Sequence, residues 1–212
     1  MKTNTFKKLS ESRQIEILDA SAQVFAQKGY FQAGIVEICQ KTGISNGALY
    51  KYFENKQGLF ISVAQRSIDL LQMAANQMTV GELGFWERLQ QQLDEVVPFL
   101  TLYKDYFIVY MELGSPVMDG FATELSDTFE RKSFEFFYEL VKEAQENGDI
   151  REEITPETAA YFLDNHLMLF AFSCVSEHYD RRFYQFFGKG NERLDANRKT
   201  EMIMRSYRQL LA

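Results

Sequence analysis

The twelve residues SNGALYKYFENK, Ser45 to Lys56, hold two amides, a glycine and an alanine, two lysines and two tyrosines at helical spacing. Such side chains bind and read; they do not catalyse. The Asn46 carboxamide sets a donor beside an acceptor, the pair that fits an adenine edge in a major groove. Gly47 and Ala48 permit close backbone approach and methyl contact, while Tyr50, Lys51 and Tyr52 lie within reach of flanking phosphates. Lys56 opens the next helical pattern, where a positive dipole end adds to its own charge.

Catalytic or metal chemistry has little to draw on. His166 and His178 are the two histidines, and Cys39 and Cys174 sit among apolar neighbours with no ligand spacing. Buried free thiols are expected, with no enzyme activity, cofactor or metal. The start, MKTNTFKKLSESRQ, has no apolar stretch of the secretory kind, and no run approaches the roughly 20 apolar residues of a spanning helix. The expected location is the cytoplasm.

The net charge of -7 over 212 residues hides an asymmetry: residues 1–60 carry +3 and residues 61–212 carry -10. A small basic module followed by a larger acidic one is expected where only the first part meets phosphate.

The elements that must position these groups read as helices throughout, about nine in all. Ile17, Ser21, Val24, Phe25 and Lys28 form one stripe, which Gly29 closes, giving a helix over Glu11–Lys28. A short helix over Ile35–Lys41, a turn at Gly43, and a helix over Asn46–Tyr52 capped by Ser45 follow. Asn55 caps a long helix reaching Met78. A turn near Gly81–Gly84 precedes two helices with a break around Pro98. Ser115 and Pro116 start a long helix with a seam of Met118, Phe121, Ala122, Leu125, Phe129, Phe136, Phe137, Leu140 and Ala144, ended by Gly148. Thr155 and Pro156 cap another, whose run LMLFAFSCV, Leu167–Val175, is apolar all round and must be covered on several sides. The last runs from about Asn191 to Leu211.

A short helix, a glycine turn and a second helix that begins with small polar residues match the helix-turn-helix. Residues 17–60 resemble the N-terminal domain of the TetR family of bacterial transcriptional repressors. Ala20, Phe25, Gly29, Tyr30, Ile38, Gly43, Ser45, Gly47, Leu49, Tyr50, Phe53, Lys56 and Leu59 stand at the family's spacing. The resemblance implies a three-helix DNA-binding domain, here 1–54, and a larger helical ligand-binding and dimerisation domain, here 55–212. It further implies homodimerisation through the last two helices and release of operator DNA when a small molecule binds.

The sequence departs from the family where a threonine or serine pair usually precedes the second helix. Ala33 and Gly34 stand there, leaving the backbone donors of Gly34 without the hydroxyls. Cys39 and Thr42 replace residues that are usually alanine.

In the acidic part, the aromatic load points to a roomy pocket for a hydrophobic or aromatic effector, lined by Trp86, Phe107, Met111, Phe137, Phe162, His166 and Phe170. Glu112, Ser133, Asp164, Asn165 and His166 are candidates for orienting it. The surplus of carboxylates favours a neutral or cationic effector over an acyl anion. A ligand-responsive regulator is the leading reading. A helical module using the same surface for protein contacts is the alternative, separated from it by salt-sensitive retention on DNA.

Overall fold

A computed structural model describes residues 2–77, 83–121, 123–188 and 194–212, and every regular element among them is helical. Ten α-helices are present: α1 (Asn4–Lys7), α2 (Glu11–Gln32), α3 (Ile35–Thr42), α4 (Asn46–Phe53), α5 (Lys56–Gln77), α6 (Phe85–Leu113), α7 (Thr123–Glu146), α8 (Pro156–Val175), α9 (Glu177–Phe187) and α10 (Ala196–Leu211). A 3-10 turn, Pro116–Met118, separates α6 from α7.

The chain forms two compact units. The first takes Met1–Met73 with Tyr103–Ser126, and the second takes Ala74–Leu102 with Asp127–Ala212, a division drawn differently from one at residue 54. In the first, Ile17, Val24 and Phe25 of α2 are buried with Ile38 of α3, Leu49 and Phe53 of α4, and Leu59, Phe60 and Val63 of α5. Ser21 is buried on the same stripe and returns its hydroxyl to the Ile17 carbonyl (2.7 Å). Gly29 has φ 71°, which breaks the helical path of α2 where the stripe ends, though helical turns continue to Gln32. In the second unit, Leu89 and Leu93 of α6, Phe137 and Val141 of α7, Leu163 and Phe170 of α8, Phe183 of α9, and Ile203 and Tyr207 of α10 form one core.

Four helix boundaries differ from the sequence expectation. The one-turn α1 is present because Phe6 is fully buried and the turn is tied down at Thr3, whose amide and hydroxyl donate to the carbonyls of Tyr52 (2.9 Å) and Lys51 (2.9 Å). Pro98 does not break α6. The departure from helical geometry comes at Tyr103 (φ -117°, ψ 26°). Proline in a helix interior costs about 3 kcal/mol in isolation, and here the buried face of Leu89, Leu93 and Leu100 holds the helix across it. Pro116 opens only the 3-10 turn, and the long helix starts at Thr123, with Gly148 (φ 77°) beyond its end as expected. The segment after LMLFAFSCV is a separate helix, α9, begun at Ser176. Met78, the turn at Gly81–Glu82, Ala122 and the start at Asn191 lie outside the described residues.

Candidate nucleic-acid interface

The geometry of the α3–α4 pair follows from its connection. Gly43 adopts φ 67°, ψ 26°, a left-handed conformation that costs other residues about 1–2 kcal/mol, and its amide bonds back to Cys39. Arg13 of α2 donates from Nη2 to the Thr42 carbonyl (2.8 Å), and the Thr42 hydroxyl donates to that of Ile38 (2.8 Å). Ser45 then caps α4, its hydroxyl oxygen accepting from the Ala48 amide (3.1 Å). Leu49 and Phe53 are fully buried, so the opposite side of α4 must face solvent.

That outer side carries the residues expected to read DNA. Ser45, Asn46, Gly47, Tyr50 and Lys51 are exposed, and Ala48 is partly so. A β-carbon at Gly47 would meet nothing nearer than the Ser45 hydroxyl at 3.9 Å, so the protein itself does not require glycine there. Tyr52 is turned inward, half-buried, with its ring edge-on to Phe6 (centroids 5.8 Å).

Two further helix starts belong to the first unit. Gly34 is the N-cap of α3 with extended backbone (φ -90°, ψ 134°) and no side-chain cap, which leaves first-turn amides for a ligand. Between α4 and α5, Glu54 sits at φ 64°, ψ -46°, and the Asn55 amide donates to the Phe53 carbonyl (2.7 Å), the strained γ-turn of positive φ. Asn55 caps α5 as expected, its Oδ1 accepting from Gly58 (2.7 Å). Lys56 donates to the Phe31 carbonyl (3.2 Å) and lies over the Tyr30 ring, 4.8 Å from its centroid. Burial pushes the Lys56 ammonium below its usual range, and the Glu112 carboxylate pushes it back up.

The residues expected to line an effector pocket fall in both units. Phe107 and Met111 belong to the first unit, where Phe107 is buried; Trp86, Phe137, Phe162, His166 and Phe170 belong to the second. There a groove of about 240 Å³ brings His166 and Phe170 together with Leu169, Phe183, Phe186 and Ile203. Phe137 is buried in the core, Phe162 stacks on His166 (4.0 Å) against Tyr207, and Trp86 lies under the Arg208 guanidinium (4.7 Å). Of the polar candidates, His166 Nδ1 is 2.9 Å from the Phe162 carbonyl, and the Asn165 amide donates to the Tyr161 carbonyl (2.8 Å). Ser133 donates to Asp164 (2.6 Å). Burial raises the Asp164 carboxyl, which the Ser133 hydrogen bond partly offsets; burial and then Asp164 raise Glu130. Within the first unit, Glu112 Oε1 accepts from the Tyr30 amide (2.7 Å).

Sequence reasoning missed Thr3, Phe6 and Arg13 as supports of the α4 surface, and Glu112 as a partner of the Gly29–Phe31 corner. Only Phe6 left a signal, an apolar ring in a polar leader; the others act through contacts distant in sequence.

Comparison with known proteins bears on this surface. The family model described as "Bacterial regulatory proteins, tetR family" matches residues 17–63. The transcriptional activator FasR of Mycolicibacterium smegmatis is 30% identical over 42% of this chain, which spans 41% of FasR's length. The transcriptional repressor DhaR of Mycobacterium sp. GP1 is 26% identical over 69% of this chain and 74% of its own. A TetR family regulator from Chloroflexus aurantiacus has the same fold, with a TM-score of 0.72 at 20% identity over 100% of this chain and 98% of its own. AibR, crystallised with isovaleryl coenzyme A and operator DNA, superposes with a TM-score of 0.67 at 16% identity over 91% and 96% of the two chains. Among the described residues no helix is long and apolar enough to cross a membrane.

Proposed function

We propose that this chain, whose residues 17–63 match the TetR family of bacterial regulatory proteins, acts as a homodimeric repressor. It binds a pseudo-palindromic operator and is released by a hydrophobic or aromatic small molecule. The observation that carries the DNA reading is the α3–Gly43–α4 unit, whose core residues turn Asn46, Gly47, Tyr50 and Lys51 outward while α3 begins uncapped at Gly34. Asn46 and the Gly47 backbone read base edges, with Ala48 against a methyl group; Gly34, Ser45, Tyr50, Lys51 and Lys56 hold phosphates. Tyr52 contributes through its backing of α4. On this reading residues 1–54 serve as the DNA-binding domain and residues 55–212 as the effector domain. The work is that of a cytoplasmic regulator rather than an enzyme.

Dimerisation has support in the second unit. Tyr161 and Leu169 on α8, Phe186 on α9 and Leu210 on α10 are large apolar side chains left exposed. Sedimentation at micromolar concentration is expected to give a dimer, and a monomer alone would remove the basis for a palindromic operator.

For the effector, AibR offers a precedent in an acyl thioester. The surplus of carboxylates in residues 61–212 favours a neutral or cationic head here. A coupling of about 1–3 kcal/mol would shift operator affinity roughly 5- to 150-fold, with operator weakening the effector by the same factor. The test is salt-dependent retention on random duplex DNA, followed by titration of isovaleryl coenzyme A and of a lipophilic amine with and without the selected site. Retention that does not fall with salt would favour protein contacts through the same surface. Equal effector affinities with and without DNA would remove the sensor.

A further inference from the structure

The corner that ends α2 gathers groups that the reading above leaves without a shared purpose. Gly29 turns the backbone out of the helical path, and the freed Tyr30 amide donates to Oε1 of Glu112, near the C-terminal end of α6 (2.7 Å). The corner is closely fitted, because a β-carbon on Gly29 would come within 3.1 Å of that same oxygen. Tyr30 is fixed edge-on between Phe60 (5.1 Å) and Phe121 (4.8 Å). Over its ring lies the Lys56 ammonium, donating to the next carbonyl in the chain, that of Phe31. Glu112 and Lys56 therefore hold the backbone of adjacent residues of one corner, the carboxylate on the Tyr30 amide and the ammonium on the Phe31 carbonyl. All belong to one compact unit.

We infer that Glu112 is a positioning residue that sets how readily Lys56 is given to DNA: its carboxylate helps hold the lysine on the Tyr30–Phe31 corner, so that a phosphate recruits Lys56 only against an internal partner. The inference rests on the proposed DNA contact of Lys56. One ammonium has three donors, but its charge is balanced either by the carboxylate behind it or by the phosphate ahead. Neutralising the carboxylate favours the phosphate. The electrostatic effect of Glu112 on Lys56 has the matching sign, opposing the burial that discourages the charged amine.

The test is Glu112→Gln, which keeps an oxygen to accept the Tyr30 amide and removes the charge. Operator binding by E112Q is expected to tighten about two- to fivefold per half-site, the range for opposite charges partly exposed to solvent. In a Lys56→Ala background the same change should have no effect, since the lysine through which it acts is gone. Equal or weaker binding by E112Q, or tightening that persists in K56A, would overturn the inference. A second readout needs no DNA: the rate at which acetic anhydride modifies Lys56, followed by peptide mass spectrometry. Without the carboxylate more of the amine is neutral, so Lys56 in E112Q should be modified faster than in wild type at the same pH; an unchanged rate would overturn the inference. If no duplex is retained while this rate rises, the DNA reading fails and the Glu112–Lys56 linkage stands. Should E112Q not fold, Glu112→Asp, with its charge withdrawn by one methylene, is expected to move both readouts in the same direction by less, and unchanged readouts would count against the inference.

Discussion

Gly34→Ser restores a hydroxyl where the family usually has one, and its effect can be worked from the backbone. Gly34 has φ -90° and ψ 134°, which any residue adopts, and an added β-carbon meets nothing within 4 Å. Removing glycine from the unfolded chain at such a position stabilises by about 0.4–1 kcal/mol. A serine oxygen accepting from the Val36 or Glu37 amide adds a few tenths over glycine at an N-cap. The sum is about 1 kcal/mol, or about 2–4 °C in melting temperature for a chain of this size. Calorimetry reads the total, and hydrogen exchange at Val36 and Glu37 reads the cap. On DNA the same hydroxyl can donate to the phosphate at the start of α3, worth about 0.5–1.5 kcal/mol and so roughly 2- to 12-fold per half-site. A variant that melts lower than wild type, with exchange unchanged at both amides, would refute the account of α3's open start.

Two further outcomes are expected. Glu54→Gly removes the strain of a positive-φ γ-turn and should stabilise by about 1 kcal/mol after glycine's own entropy cost, read as a higher denaturant midpoint at unchanged slope. Asp164→Asn keeps an acceptor for Ser133 and removes a carboxyl whose folded pKa is raised by burial. The folded wild type then binds more protons than the unfolded chain, so its stability falls as pH rises from the ordinary carboxyl value of about 3.9 to the raised one. The advantage of D164N should therefore grow over that window and vanish below it, as checked by urea midpoints at pH 3 and 7.

The helix-turn-helix was legible because its signals are local. The stripe of Ile17, Ser21, Val24 and Phe25, the positive φ of Gly43, and Ser45 and Asn55 as caps each act within four residues and are found in those roles, whereas Lys28 of the expected stripe is exposed. The features that were not legible depend on distant partners. Helix α1 exists through a pocket for Phe6 and two carbonyls almost fifty residues on. Pro98 marks where an isolated helix would weaken, but packing carried the helix through to Tyr103. Glu112, which reads as a polar group in an apolar helix, meets the Tyr30 amide 82 positions away. The effector residues were least legible, because an aromatic surplus does not say which rings fill the core, as Phe137 and Phe170 do, and which stay exposed beside a groove, as Phe186 does.

The central claim is that α4 reads DNA with its first turn, and selection of binding sites from random duplexes by wild type and Asn46→Ala tests it most directly. Wild type should enrich a pseudo-palindrome with half-sites about one helical turn or slightly more apart. N46A should relax preference at one symmetric pair of positions while keeping the salt slope. Lys56→Ala should weaken all sequences alike and flatten that slope by about 0.9 per lost contact. Enrichment of the same operator with the same affinity by all three proteins would contradict the assignment of α4 as the reading helix.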